Sequence, residues 1–85
     1  MRSVVFTSFA IKEYNEWFET NIRIVDRIKM LILEIDDNPF KGIGKPEPLR
    51  GNWKGYWSRR IDLEHRLVYK VTHDQIIIAK CKEHY

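Results

Sequence analysis

A continuous apolar stripe between residues 22 and 37 is the feature that most constrains the fold of this chain. The stripe follows the i, i+3, i+4 and i+7 spacing of an α-helix and consists of Ile24, Val25, Ile28, Leu31, Ile32 and Ile35. Such a helix needs an apolar surface to pack against. A chain of 85 residues has room for one hydrophobic core, so that surface must belong to the same domain, residues 1–85.

The first half of the chain predicts a strand and two helices. Residues 4–7 predict a short strand, and residues 9–20 a helix with Ser8 as its N-cap. The second helix is predicted over residues 22–37, with Asn21 as its N-cap and Asn38-Pro39 as its stop. The aromatic and aliphatic residues that recur along both helices are expected to form core rather than a cofactor pocket.

The second half is strand-like. It predicts strands at about 49–53, 56–62, 65–72 and 75–83, with turns near 63–64 and 73–74. The resulting fold class is α+β, in the order β-α-α-β-β-β, with two N-terminal helices packed on one face of an antiparallel sheet of four to five strands.

Basic charge is concentrated in the second half. Residues 1–38 hold five Lys or Arg against seven Asp or Glu, whereas residues 39–85 hold ten against five. A concentrated basic surface attracts polyanions, of which nucleic acid is the commonest, although such an excess can also be ordinary solvated surface.

Composition excludes several classes of protein. No apolar run approaches the roughly 20 residues of a membrane span, and the N-terminus is too short for a signal peptide. Cys81 is the single cysteine, so no disulfide framework or Cys-x-x-Cys metal site is expected, and a reducing cytoplasm fits best. Cys81 is expected in or near the core, and no cofactor or metal ligand set is predicted.

Strand periodicity sorts the candidate polar residues by face. In the predicted strand at 65–72, Arg66 and Lys70 share a face with Val68. In the last strand, Lys80, Lys82 and His84 are predicted to share the face of Ile76 and Ile78, while Ile77, Ala79, Cys81 and Glu83 share the other. Periodicity does not decide which of these faces covers the helices. Arg59 and Arg60 are consecutive, so at most one of them can join any single site.

These residue types suit metal-independent RNA cleavage. That reaction needs a base for the ribose 2′-OH, an acid for the leaving 5′-oxygen and cations for the phosphorane between them. Glutamate is ionised at pH 7 and can act as the base, while histidine is partly protonated and can supply the proton. Glu47 lies between Pro46 and Pro48, which predict extended backbone there. His65, beside Glu64, is expected to orient a turn.

Four segments occur in an order and spacing that resembles a known family. They are Gly42-Ile43-Gly44-Lys45-Pro46-Glu47-Pro48-Leu49, Gly55-Tyr56-Trp57-Ser58-Arg59-Arg60-Ile61, Glu64-His65-Arg66-Leu67-Val68-Tyr69, and His84-Tyr85. Together they closely resemble the YoeB (Txe) branch of the RelE/ParE toxin superfamily, over essentially the whole chain.

The resemblance implies a bacterial toxin of a type II toxin–antitoxin pair that cuts messenger RNA in the ribosomal A site. It implies Glu47 as general base, Arg66 as transition-state stabiliser, His84 as general acid, and Tyr85 as a residue that orients the message or its leaving group. It also implies contacts to RNA, for which the candidates are Lys45, Arg50, Arg59 and Arg60.

The expected partners follow from the same resemblance. They are a YefM-like antitoxin, the bacterial ribosome with its mRNA, and a second copy of the chain in a homodimer, with no membrane partner. Two rival functions remain open at this point. One is a non-enzymatic toxin that inhibits DNA gyrase, like the ParE branch, and the other is a plain nucleic-acid-binding protein.

Overall fold

Two helices cover one face of a five-stranded sheet in this computed structural model, which describes residues 1–84. The strands and helices in chain order are β1 (Ser3–Phe6), α1 (Ser8–Thr20), α2 (Ile22–Asp37), β2 (Glu47–Pro48), β3 (Trp57–Arg60), β4 (Arg66–Val71) and β5 (Gln75–Lys80). A short 3-10 helix, Gly51–Trp53, lies between β2 and β3. The predicted α+β class and element order are confirmed.

The sheet is mixed rather than wholly antiparallel, which corrects one detail of the prediction. Its strand order is β1-β5-β4-β3-β2, and β1 pairs with β5 in parallel while the other pairs are antiparallel. The helices carry the chain from β1 at one edge to β2 at the other. The meander then returns across the sheet and brings β5 alongside β1 in the same direction.

The core lies between the helices and the sheet. All six residues of the apolar stripe on α2 are buried, as predicted. They pack against the sheet residues Leu67, Tyr69, Ile76 and Ile78, which are fully buried. The sheet face that carries these residues is therefore the covered one, a point that strand periodicity left open.

The N-caps of both helices are side-chain oxygens. The Oδ1 of Asn21 accepts a hydrogen bond from the backbone N–H of Arg23 at 3.1 Å, so this predicted cap is confirmed. At α1 the cap is Thr7, one residue before the predicted Ser8, and its Oγ1 accepts from the N–H of Ala10 at 3.1 Å. Thr7 rather than Ser8 is the N-cap because the hydrogen bond from its N–H to the carbonyl of Ile78 on β5 holds its backbone outside the helix.

The segment 49–53, predicted as a strand, instead follows the end of β2 and contains the 3-10 helix. Gly51 has a φ of +63°, which is left-handed backbone and interrupts an extended strand. The paired part of this region is only Glu47–Pro48, at the edge of the sheet. None of the helices in residues 1–84 is both long enough and apolar enough to cross a membrane.

Candidate active site

The face of the sheet opposite the helices carries the candidate functional residues. A small apolar cluster of Leu49, Val68 and Ala79 marks this open face. Glu47 on β2 lies directly opposite Ser58 on β3. Arg60, two residues after Ser58, lies directly opposite Arg66 on β4. Strand pairing therefore brings segments that are distant in the sequence onto one surface.

These residues line a cavity of about 260 Å³. Its walls are formed by Lys45, Glu47, Ser58, Arg60, Arg66 and His84. The cavity thus combines one carboxylate with three permanent cations and an imidazole. Like charges placed directly opposite on neighbouring strands repel each other, so the Arg60–Arg66 pair favours an anion bound between or beside the two guanidinium groups.

The open turn before β4 positions Arg66. The Nη1 of Arg66 donates to the carbonyl oxygens of Asp62 at 2.9 Å, His65 at 3.1 Å and Leu63 at 3.3 Å. A guanidinium is planar and carries five N–H donors, so anchoring one nitrogen fixes the plane that the others present. The turn itself is closed by Asp62, whose Oδ1 accepts from the N–H groups of Glu64 and His65.

The Asp62 carboxylate is held in its charged form. Burial alone would raise its pKa, but the backbone donors of His65 and Glu64, together with the nearby His65 and Arg66 side chains, outweigh burial and lower the pKa. The turn that anchors Arg66 is therefore intact at neutral pH.

Lys45 reaches the cavity from a loop with unusual backbone geometry. Its φ is +51°, a left-handed conformation that costs a non-glycine residue about 1–2 kcal/mol. The loop is held against β3 by the carbonyl of Gly44, which accepts from the N–H of Arg60 at 2.6 Å. The surrounding structure thus imposes the conformation that places Lys45 beside Glu47.

Arg59 lies on the other side of the sheet from the cavity. Its side chain is fully buried. Its guanidinium donates to the hydroxyl of Tyr69, the carboxylate of Glu34 and the carbonyls of Asn38, Lys41 and Ile43. The prediction that Arg59 and Arg60 face opposite ways holds, and it removes Arg59 from the candidate RNA contacts because a buried guanidinium with these partners cannot reach a phosphate.

The segment that carries His84 is not a strand. Strand β5 ends at Lys80, and side-chain alternation fails directly afterwards: Ala79 packs on the open face, but Lys80 and Cys81 both face α1. Glu83 has a φ of +60°, which turns the backbone. His84 nevertheless reaches the cavity, by this turn rather than by the predicted alternation. Tyr85 lies outside the described residues.

Side chains from elsewhere hold this segment in place. On the helix side, Glu13 Oε1 accepts from the N–H of Cys81 at 2.7 Å, and Trp17 Nε1 donates to the carbonyl of Cys81 at 2.9 Å. On the strand side, the N–H of Arg66 donates to the carbonyl of Glu83 at 3.1 Å, and the N–H of Glu83 donates to His65 Nδ1 at 2.8 Å.

The remaining predicted residues lie apart from the cavity. Arg50 lines a neighbouring surface depression with Glu47, Pro48 and Leu49, so it borders the site without entering it. Cys81 is a core thiol, as predicted, and burial, followed by the charge of Glu13, raises its pKa to about 12. Within residues 1–84, no group of three or more His, Cys, Asp or Glu side chains is arranged to hold a metal ion.

Two site features were missed by reasoning from the sequence. Ser58 is buried in the cavity wall, and its position two residues before Arg60 on the same strand face was a signal for it. His65 takes part in the turn, as expected, because its N–H donates to Asp62 and its carbonyl accepts from Ile61, but its imidazole also contacts the C-terminal segment. Nothing in the local sequence of His65 indicates a partner 18 residues away.

The fold and the basic cavity on its open face define the class of small α+β bacterial toxins. Residues 6–85 match the family described as YoeB-like toxin of bacterial type II toxin-antitoxin system. The chain belongs to this family.

Individual relatives agree with this assignment. Toxin YoeB of Streptomyces coelicolor is 51% identical over 82 residues, which cover 96% of this chain and 98% of that protein. The YoeB dimer from Staphylococcus aureus is 44% identical, with a TM-score of 0.93 and coverage of 99% of this chain and 98% of the other. The heterotetrameric YoeB–YefM complex from the same organism is 43% identical, with a TM-score of 0.92 and coverage of 100% and 99%.

Proposed function

We propose that this toxin is a ribosome-dependent endoribonuclease that cleaves messenger RNA in the ribosomal A site. The observation that carries the proposal is an open-face cavity that combines Glu47, Arg66 and His84 with further cations. A base, an acid and a phosphate-binding guanidinium are the groups that cleavage at a ribose 2′-OH requires.

The proposed reaction needs only groups of this chain and the RNA. Glu47 takes the proton of the 2′-OH, and the 2′-oxygen attacks the adjacent phosphorus. The bond from phosphorus to the 5′-oxygen breaks, and protonated His84 supplies the proton to that leaving oxygen. The products are a 2′,3′-cyclic phosphate and a free 5′-OH. Arg66 stabilises the additional negative charge on the phosphorane, and Tyr85 orients the message or its leaving group.

The cations around this set support binding of RNA. Lys45 and Arg60 line the cavity and Arg50 lies in the adjoining depression, so the positive surface extends beyond the scissile phosphate. Contacts of this kind bind the phosphate backbone without reading bases. We assign Lys45, Arg50 and Arg60 to the message or to ribosomal RNA. An enzyme with this substrate acts in the cytoplasm.

The proposed protein partners come from the solved relatives. Structures of staphylococcal YoeB are known both as a dimer and in a heterotetrameric complex with YefM. We propose that this chain likewise forms a homodimer and is neutralised by a YefM-like antitoxin. An acidic segment of such an antitoxin would suit the basic cavity by charge complementarity.

The proposed function is tested by mapping the 5′ ends of translated messages after tightly controlled expression of the toxin. We expect cleavage within codons at the A site, with new 5′-OH ends. Glu47→Gln is expected to lower the single-turnover rate on programmed ribosomes by about 10²–10⁴-fold, and Arg66→Ala by about 10²–10³-fold. The combined variant should lose much less than the product of the two effects, because both residues serve one transition state.

Matched substitutions away from the cavity serve as controls. Glu19→Gln on α1 and Arg23→Ala on α2 change the same residue types at exposed positions, and both should cleave at the wild-type rate. Growth arrest without A-site cleavage would contradict the proposal. Inhibition of gyrase supercoiling that survives Glu47→Gln would instead favour the ParE-like function.

A further inference from the structure

The backbone that leads to His84 depends mainly on side-chain contacts, with one backbone hydrogen bond from Arg66 at the start of β4. Strand β5 ends at Lys80, so residues 81–83 must find other partners for their N–H and carbonyl groups. Cys81 is fixed by α1 through Glu13 and Trp17. Glu83, the residue directly before His84, is fixed by the start of β4. The contacts of Glu83 therefore direct the backbone that enters His84.

His65 makes the side-chain contact to Glu83. The N–H of Glu83 points at Nδ1 of the imidazole at 2.8 Å, so Nδ1 must accept and carries no proton. The ring proton therefore lies on Nε2, whose neighbour is the Glu64 carboxylate at 3.7 Å. The ring is also held edge-to-face against Trp17, with 4.8 Å between centroids. A left-handed Glu83, with its φ of +60°, needs such external contacts to persist.

We propose that His65, in its Nε2–H tautomer, is a positioning residue that holds the Glu83 backbone and thereby places the His84 imidazole in the cavity. This inference rests on the proposed role of His84 as general acid. The two histidines then have opposite requirements: His84 must be protonated to donate, while Nδ1 of His65 must stay unprotonated to accept. His65 does not touch the substrate and acts only through the C-terminal segment.

The surroundings of His65 decide what protonation of the ring would do. Asp62 and Glu64 lie beside it in the turn, and Arg66 follows it on β4. From the C-terminal segment, the Glu83 N–H contacts the ring, while Lys82 lies over the Trp17 ring that His65 also contacts. A proton on Nδ1 would place two donors against each other at the Glu83 N–H. A proton on Nδ1 should therefore release the segment in acid.

The experiment compares His65→Phe and His65→Asn in the full-length toxin. Phenylalanine keeps a ring against Trp17 but offers no acceptor, whereas the Oδ1 of asparagine lies near the position of Nδ1 and does not titrate. Loss of one hydrogen bond corresponds to about a tenfold effect at the upper end of its usual range. We expect His65→Phe to speed amide exchange of Glu83 and to slow single-turnover cleavage by about tenfold each, with KM unchanged. His65→Asn should restore both to within about threefold and should remove the release of the Glu83 amide in acid.

His73→Asn is the matched control, because it changes an exposed histidine in the β4–β5 turn. Wild-type exchange and cleavage in His65→Phe would overturn the proposal, and so would equal losses in His65→Asn. If His65→Phe does not fold, long-range proton–nitrogen correlation NMR of the wild-type toxin still identifies the His65 tautomer. A proton on Nδ1 at neutral pH would refute the proposal. If the wild type does not cleave RNA, the proposed function fails while the amide exchange still tests the contact.

Discussion

Adjacent arginines on β3 are expected to give opposite mutant phenotypes. Arg59 is buried on the helix side, and Arg60 is exposed in the cavity on the open side. The same substitution at the two positions, Arg59→Met and Arg60→Met, therefore separates a structural guanidinium from one that we propose contacts RNA. Methionine keeps an unbranched apolar side chain and removes the charge.

The magnitude at Arg59 follows from its contacts. Arg59 pairs with Glu34 at 2.8 Å and donates to Tyr69 at 3.1 Å, in addition to its carbonyl contacts. Removing one partner of a buried ion pair typically costs about 3–5 kcal/mol. The Glu34 side chain is 26% exposed, so water can partly solvate it after the substitution. We therefore expect a loss near the lower end, about 3 kcal/mol in the free energy of unfolding.

Thermal unfolding followed by circular dichroism provides the assay. In a domain of this size, each kcal/mol shifts Tm by about 4–8 °C, so Arg59→Met should lower Tm by about 12–24 °C. Arg60→Met should change the free energy of unfolding by no more than about 0.5 kcal/mol, since the residue is exposed, while it reduces cleavage. Equal Tm values for the two variants, or a loss below about 1 kcal/mol at Arg59, would refute the structural role.

Two further predictions concern the loop and the core thiol. At Gly42, whose φ is +115°, an added Cβ would clash with Glu34 Oε1 at 1.7 Å. Gly42→Ala should therefore lower Tm clearly more than Gly51→Ala, where φ is +63° and no atom lies within 4 Å of the added Cβ. Equal shifts in Tm for the two variants would contradict the clash. Cys81, with its pKa raised to about 12, should resist iodoacetamide at pH 8 until the protein is unfolded. Because that pKa is raised in the folded state, its contribution to stability is complete below the ordinary thiol pKa and is lost as the pH rises toward 12; Cys81→Ala should flatten the decline in chemical denaturation between pH 8 and 11.

The helical half of the fold was predictable from local pattern. The stripe on α2 predicts its buried face, because a period of 3.6 places six large side chains on one side of the helix, while Asn21 and Asn38-Pro39 mark its bounds. Alternation likewise places Arg66 with Val68 and separates Arg59 from Arg60. It could not say which arginine enters the site, since that depends on the partner layer that each face meets.

The C-terminal part of the site was not predictable by the same means. Alternation assumes a continuous strand, and here the strand ends at Lys80. Beyond that point the backbone is held by Glu13, Trp17 and His65, which are remote in the sequence. The position of His84 in the cavity was anticipated through the family resemblance, and the contacts that put it there came from the structure.

The facing arginines Arg60 and Arg66 mean that the toxin is not built for maximal stability in isolation. Replacing Arg60 with a neutral side chain would relieve their repulsion, so the cation pair lowers the stability of the fold when no anion is bound. A polyanion that binds only the folded form offsets this cost, because it raises the free energy of unfolding by about 2.7 kcal/mol at a concentration one hundred times its Kd. Occupied toxin should therefore outlast empty toxin in the presence of proteases, so the lifetime of the molecule in a cell depends on what fills its cavity.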